Sequence, residues 1–200
     1  MHGSLVRRCA LSAVLVLLAA ALLVVEGTQA GFTARSSSGA STVTTGMVDL
    51  AAGAAGPANR LTVDATGVVP GDRIERVVDL TNGGSLNLSG VGLTTTAQPS
   101  SALDTDTTHG LEVSIDRCSL PWTETGPAPG YVYGCGGTTT AVLASRPVIM
   151  SAVTLSGLTS TTAGATDHLR VVLTLPATAG DSLQGLSSRL QFTFTGAGAG

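Results

Sequence analysis

Short runs in which every second residue is apolar recur along this chain, and they confine it to a sheet-based fold. Leu111, Val113 and Ile115 alternate with Glu112, Ser114 and Asp116. Leu169, Val171, Leu173 and Leu175 alternate with Arg170, Val172 and Thr174, until Pro176 stops the run. Leu190, Phe192 and Phe194 alternate with Gln191 and Thr193. Successive side chains of a strand leave on opposite faces, so period two gathers the apolar set on one buried side. The central stretch 69–93 carries the same signal between two turns. In Pro70-Gly71-Asp72, proline presets φ, glycine supplies φ > 0 and aspartate bonds its own backbone. After it, Ile74, Arg76, Val78 and Leu80 share one face, and Arg73, Glu75, Val77 and Asp79 the other. Asn82-Gly83-Gly84-Ser85 is a second turn signal. Leu86, Leu88, Val91 and Leu93 then resume the pattern, with Gly90 and Gly92 marking a bulge or bend. This stretch is expected to form a β-hairpin.

The remaining segments are weaker. Residues 43–50 form a strand-like run and 51–57 an Ala/Gly loop. Leu61, Val63 and Ala65 make a short strand, and 94–109 reads as a polar surface loop. Residues 121–137 hold the single Trp and both Tyr among Pro and Gly, and read as a loop. Ala141, Leu143, Val148 and Met150 are interrupted by Arg146-Pro147, and Val153, Leu155 and Leu158 form a further strand. About eight or nine short strands separated by turns, with no helix of useful length after the leader, point to an antiparallel β-sandwich of jelly-roll type.

The first 30 residues have their own logic. Arg7-Arg8 precedes an apolar run over 9–25, and Thr28 and Ala30 are small residues before Gly31. A positive start, an apolar middle and small residues at the end describe a secretory signal peptide cut at Ala30–Gly31. The alternative is a retained anchor, at the short edge of the ~17–25 residues needed to span a bilayer. Removing the leader leaves eight arginines against twelve carboxylates, a net charge of −4. There is no lysine, no basic patch and little aromatic content, which argues against nucleic-acid binding. The chain is thus expected to be secreted or at the cell surface, meeting membrane only through its leader.

Several of these stretches, in this order, resemble the TasA/camelysin family, whose leaders are handled by a SipW-type signal peptidase. They are Gln29-Ala30-Gly31-Phe32, Gly46-Met47-Val48-Asp49-Leu50, Pro70-Gly71-Asp72, Asn82-Gly83-Gly84-Ser85-Leu86, and Ala179-Gly180-Asp181-Ser182-Leu183-Gln184-Gly185 before the last strand. Residues 99–152 do not match and are expected to be an insertion within the single domain 31–200. The resemblance implies a jelly roll, a SipW-like peptidase as partner during export, and self-association into matrix or surface fibres. In such fibres the N-terminal strand of one subunit completes the sheet of the next. The donor here would be residues 31–43.

Some family members carry a metalloendopeptidase label. Catalytic zinc takes about three protein ligands, whereas the mature chain holds only His109 and His168, with no His-Glu-x-x-His. Asp104 and Asp106 could donate oxygens to calcium, but one Asp-x-Asp lacks the remaining ligands. No phosphate-binding glycine loop is present, so neither a cofactor nor catalysis is expected. Cys118 and Cys135, the only mature cysteines, suggest a disulfide in this compartment, with free or metal-binding thiols as the alternative. The bond would close the loop carrying Trp122, Tyr131 and Tyr133. That loop is either a contact surface, and hence the basis of a monomeric adhesion module, or a small core packing itself.

Overall fold

The alternating runs become long strands, and their partners lie far away in sequence. The computed structural model describes residues 33–36 as backbone, and residues 50–52, 57, 59, 61, 63–128 and 130–199. The signal segment, its Ala30–Gly31 junction and most of the arm 31–43 therefore lie outside the described residues. The strands are β1 (Thr33–Ser36), β2 (Leu50–Ala52), β3 (Val63–Thr66), β4 (Arg73–Asn82), β5 (Leu88–Ala97), β6 (Glu112–Cys118), β7 (Trp122–Thr125), β8 (Val132–Cys135), β9 (Thr139–Pro147), β10 (Met150–Leu155), β11 (Thr166–Thr174) and β12 (Ser187–Gly198). One short helix, α1 (Ala102–Thr105), and a 3-10 turn at Asp181–Leu183 complete the described elements.

One sheet runs β1-β12-β5-β10, with β3 also on β12; the other runs β2-β4-β11-β6-β9; β7 and β8 pair apart. The pairing is nested. β3 pairs β12, β4 pairs β11, β5 pairs β10 and β6 pairs β9, all antiparallel. First joins last, inward to the middle, and the strands divide between two facing sheets, which is the jelly roll expected from the sequence. Between the sheets lie Val63, Leu80, Leu93, Ile115, Leu169, Leu190 and Phe194, all fully buried. Each such side chain contributes about 1.5–3 kcal/mol by leaving water.

The nesting corrects several local readings. Stretch 69–93 is not a hairpin, because β4 and β5 belong to opposite sheets. Asn82-Gly83-Gly84-Ser85 is an arch that carries the chain from one layer to the other. Asn82, fully buried, holds it by donating Nδ2–H to the Leu86 carbonyl and accepting the Gly84 N–H on Oδ1. Pro70-Gly71-Asp72 is the turn expected: Gly71 has φ +93, and Asp72 Oδ2 accepts the Val69 N–H at 2.9 Å. The polar segment 94–109 is strand to Ala97 and then helix. Ser101 caps α1 and Asp104 returns the bond to the Ser101 N–H, so Asp104 is spent on a capping box. Asp106 Oδ1 accepts the N–H groups of Thr108 and His109, which lower its pKa. The loop 121–137 contains a real hairpin, β7–β8, and residues 196–198 extend β12. Of the stretch 99–152 expected to be an insertion, β6, β9 and the start of β10 are members of the nest, while α1 and the β7–β8 pair stand outside it.

Candidate functional site

Two features of this frame bear on function: the second edge of β12, and the disulfide hairpin on the outer face of the opposite sheet. Along one edge β12 pairs β5 from Leu190 to Gly198. Along the other it is covered by two short pieces laid end to end. β3 takes Ser187 to Leu190 and β1 takes Phe194 to Ala197. β3 is bound by more than its ladder. Val63 and Ala65 are fully buried, and Arg189 Nε donates to Asp64 Oδ1, a hydrogen bond that, with the carboxylate's charge, raises the arginine pKa. β1 pairs with Thr33 opposite Ala197 and Ser36 opposite Phe194. The expected donor segment thus lies, over the part described, on its own sheet.

The hairpin crosses the outer face of β6, β11 and β4. Alternation puts Cys118 and Asp116, His168, Arg170 and Val172, and Glu75, Val77 and Asp79 on that face, in matched register. Cys118 and Cys135 form a disulfide that staples β8 to the end of β6. The Trp122 ring stacks on the Arg170 guanidinium, 4.6 Å from its centroid, and its Nε1–H donates to the His168 carbonyl. Arg170 is also paired with Asp116 at 2.9 Å and Glu75 at 3.6 Å. Tyr133 donates its hydroxyl to Glu124 and its N–H to Glu75 Oε2. Tyr131 lies under Arg76 at 5.4 Å. Cation–ring contacts of this kind add about 0.5–2 kcal/mol according to their desolvation.

The three aromatics expected at a contact surface are therefore turned largely toward the protein. Tyr133 is 3 % exposed and Trp122 and Tyr131 are half-buried, while Leu120 and Val132 face solvent. Val77, Val172, Cys118 and Tyr133 are buried yet stand outside the main core, and so make a second small one. The signal for it was present in the sequence: Val77 and Val172 occupy the nominally wet faces of their strands.

The family-turn residues Pro70, Gly71 and Asp72 sit at one end of β4, and Asn82, Gly83 and Gly84 at the other. They form no common site. His109 and His168 are not brought together either. His168 pairs Cys118 at one end of β6, and His109 precedes Glu112 at the other, roughly 20 Å along a strand rising ~3.3 Å per residue. His168 Nδ1 lies 2.6 Å from Asp79 Oδ1. Among the described residues no group of three His, Cys, Asp or Glu side chains could hold a metal ion, so these residues do not supply the ligand set of a zinc centre. Nor is any described helix long and apolar enough to cross a membrane.

Beyond the geometry, a family model described as camelysin metallo-endopeptidase matches residues 4–116. No curated protein matches the chain.

Proposed function

The chain belongs to the camelysin family, which also takes in TasA-type proteins, and on that premise we propose that it is a secreted, non-catalytic structural subunit of the cell surface or biofilm matrix. A SipW-like peptidase removes the leader at Ala30–Gly31, freeing the arm 31–43. The arm then leaves its own β12 and completes the β12 of a neighbour, so that each subunit donates one strand and accepts one. The observation that carries this reading is the edge of β12, where the segment next to the cleavage point, β1, fills Phe194 to Ala197 by backbone pairing beside the firmly buried β3. A four-residue strand is the size of piece that can be exchanged without unmaking the core. The mismatch of the histidines to a zinc set weighs against the peptidase activity in the family's description. A monomeric binding module built on the aromatic loop draws less support, since Trp122 and Tyr133 are spent on Arg170 and Glu75.

The test is light scattering with size exclusion on protein starting at Gly31, over a concentration series and days of incubation, beside a form lacking residues 31–40. Growth of the first into long assemblies and a folded, persistent monomer for the second is the expected outcome. Polymerisation of the truncated form would sink the mechanism.

A further inference from the structure

Gly196 is the inward position of β12 at the place where β1 completes it. Along β12, Leu190, Phe192 and Phe194 turn to the core at every second residue, and Gly196 is the next of that set, buried like them. Its φ is not positive, so its backbone would take any residue; what requires glycine there is space. A Cβ at 196 would stand 3.0 Å from Leu88 Cδ1 and 3.6 Å from Leu50 Cδ2. Leu88 comes from β5, the neighbour of β12, and Leu50 from β2, the outermost described strand of the facing sheet. Both leucines are buried in the main core. Facing sheets ordinarily pack about 10 Å apart. Here Cα atoms of β2 come within 8 Å of Cα atoms of both β12 and β1. The two layers draw together at this flank, and the two leucines fill the gap over the backbone of β12.

We propose that this narrowing is a size filter for the strand that completes β12, and that it selects the arm of a second copy of this chain. The filter rests on the strand exchange proposed above and decides which strand is accepted. Residues directly opposite in an antiparallel pair share a sheet face. The ladder sets Ala34 opposite Gly196 and Ser36 opposite Phe194, so positions 34 and 36 belong to the narrow inward side, and 33 and 35 to the outer one. The sequence of the arm keeps to that division. Its even positions from 34 to 40 are Ala34, Ser36, Ser38 and Ala40, and the longest side chain of the same span, Arg35, stands at an odd one. A slip of one residue either way brings Arg35 opposite Gly196 or Phe194, on the side with no room for it. The serines that make the arm a weak strand former are thus what lets it in. A strand of ordinary composition, with Val, Ile or Leu at alternate positions, is turned away at the same place, which keeps the edge of β12 for copies of this chain.

The experiment compares three forms of the mature chain starting at Gly31: the parent, a form with both Ala34→Leu and Ser36→Leu, and a form with Thr33→Leu. Hydrogen exchange in a peptide covering residues 191–198 reads whether the edge of β12 is occupied, by its own arm or by a neighbour's, and light scattering reads assembly. Residues 169–173, protected in all three, show that the sandwich is folded. In the double variant the amides facing β1 are expected to exchange about tenfold or more faster than in the parent, and the protein to stay monomeric. Thr33→Leu is expected to match the parent in both. Leucine is apolar, so at an inward position with room to spare it would strengthen the pairing; parental protection or growth in the double variant would therefore overturn the filter. Lost protection in Thr33→Leu as well would overturn it too, since the effect would then follow leucine anywhere in the arm. A parent that never grows, beside lost protection in the double variant alone, would leave the filter acting on the chain's own arm and overturn the exchange on which the second copy depends.

Discussion

At one flank of the sandwich the outermost strands are β10 and β9; at the other, β12 is completed by β3 and β1, and β4 by the three-residue β2. The two flanks defend their backbones differently. β10 takes three steps, Met150 to Val153, where β5 takes two, Thr95 to Leu93, and Ala152 within that bulge has φ +48. β9 makes irregular steps against β6 and ends in Arg146-Pro147. An edge with shifted register and a proline cannot zip to another strand. Among the described residues the opposite flank is regular and is closed by short segments. A bulged edge is shut permanently, whereas an edge closed by a small piece can be reopened, as the proposed strand exchange requires.

The largest effect should come from β12, the strand proposed to accept. Phe194 faces the core from β12 and is 1 % exposed. Phe194→Ala should cost about 3–5 kcal/mol in urea unfolding, from lost burial and the cavity left behind. Removing residues 31–40, which takes β1 from the same strand, should cost clearly less, since what β1 is described to give β12 is backbone pairing from Thr33 to Ser36. Comparable losses for the two would make β1 as integral as β3 and erase the contrast. Next in size is the staple. Cys118 and Cys135 are 17 residues apart, and opening such a loop costs roughly 3 kcal/mol by chain entropy. Comparing urea midpoints with and without a dithiol measures it, and a shift below a third of that figure would mean that the hairpin stays ordered without its bond.

How much of this contrast could be read from the residues depends on the range of the interaction. The strands β6, β11 and β12 were legible, because Ile115, Leu169 and Phe194 repeat with period two over five or more residues. The disulfide followed from cysteine count and compartment. The hairpin expected at 69–93 failed because Asn82-Gly83-Gly84-Ser85 looks the same whether the chain returns to its own sheet or crosses to the facing one. That choice is made by β11 (Thr166–Thr174) and β12 (Ser187–Gly198), far along the chain. β9 was blurred by its own bulges, which break the alternation that would reveal it. At the candidate site the aromatic residues were found but their direction was not. Direction was set by Val77 and Val172, whose apolar side chains on outer faces require a cover.

Acid should loosen the connection between β10 and β11. Asp167, 1 % exposed, holds the connection between β10 and β11 by accepting from the Thr159 N–H and hydroxyl, the Ser160 N–H and Arg117. Burial pushes its carboxyl pKa up, but the Thr159 hydroxyl and the Ser160 amide outweigh it, and the net pKa is below the ordinary carboxylate value. A depressed folded pKa gives stability that is fully present above the unfolded value of about 3.9 and is lost as pH falls through the folded one. The urea midpoint should therefore decline below about pH 4, and Asp167→Asn should flatten that decline. An unchanged slope in the variant would move the acid sensitivity elsewhere.

The smallest effect tests whether the bulge on β10 is strained or merely shaped. Ala152 holds a left-handed conformation that costs a non-glycine residue about 1–2 kcal/mol, and its N–H donates to Thr94 Oγ1 at 3.0 Å. Ala152→Gly relieves that cost but frees the unfolded chain by about 0.4–1 kcal/mol. The net expectation is a gain below about 1 kcal/mol in urea, because relief and entropy oppose each other. The bulge should persist, since its extra residue and the Thr94 contact are untouched, and the variant should remain as resistant to pairing at β10 as the parent. A stability loss would mean that Ala152 is not strained. Association through β10 would mean that the backbone conformation at this one residue, and not the register shift, keeps that flank shut.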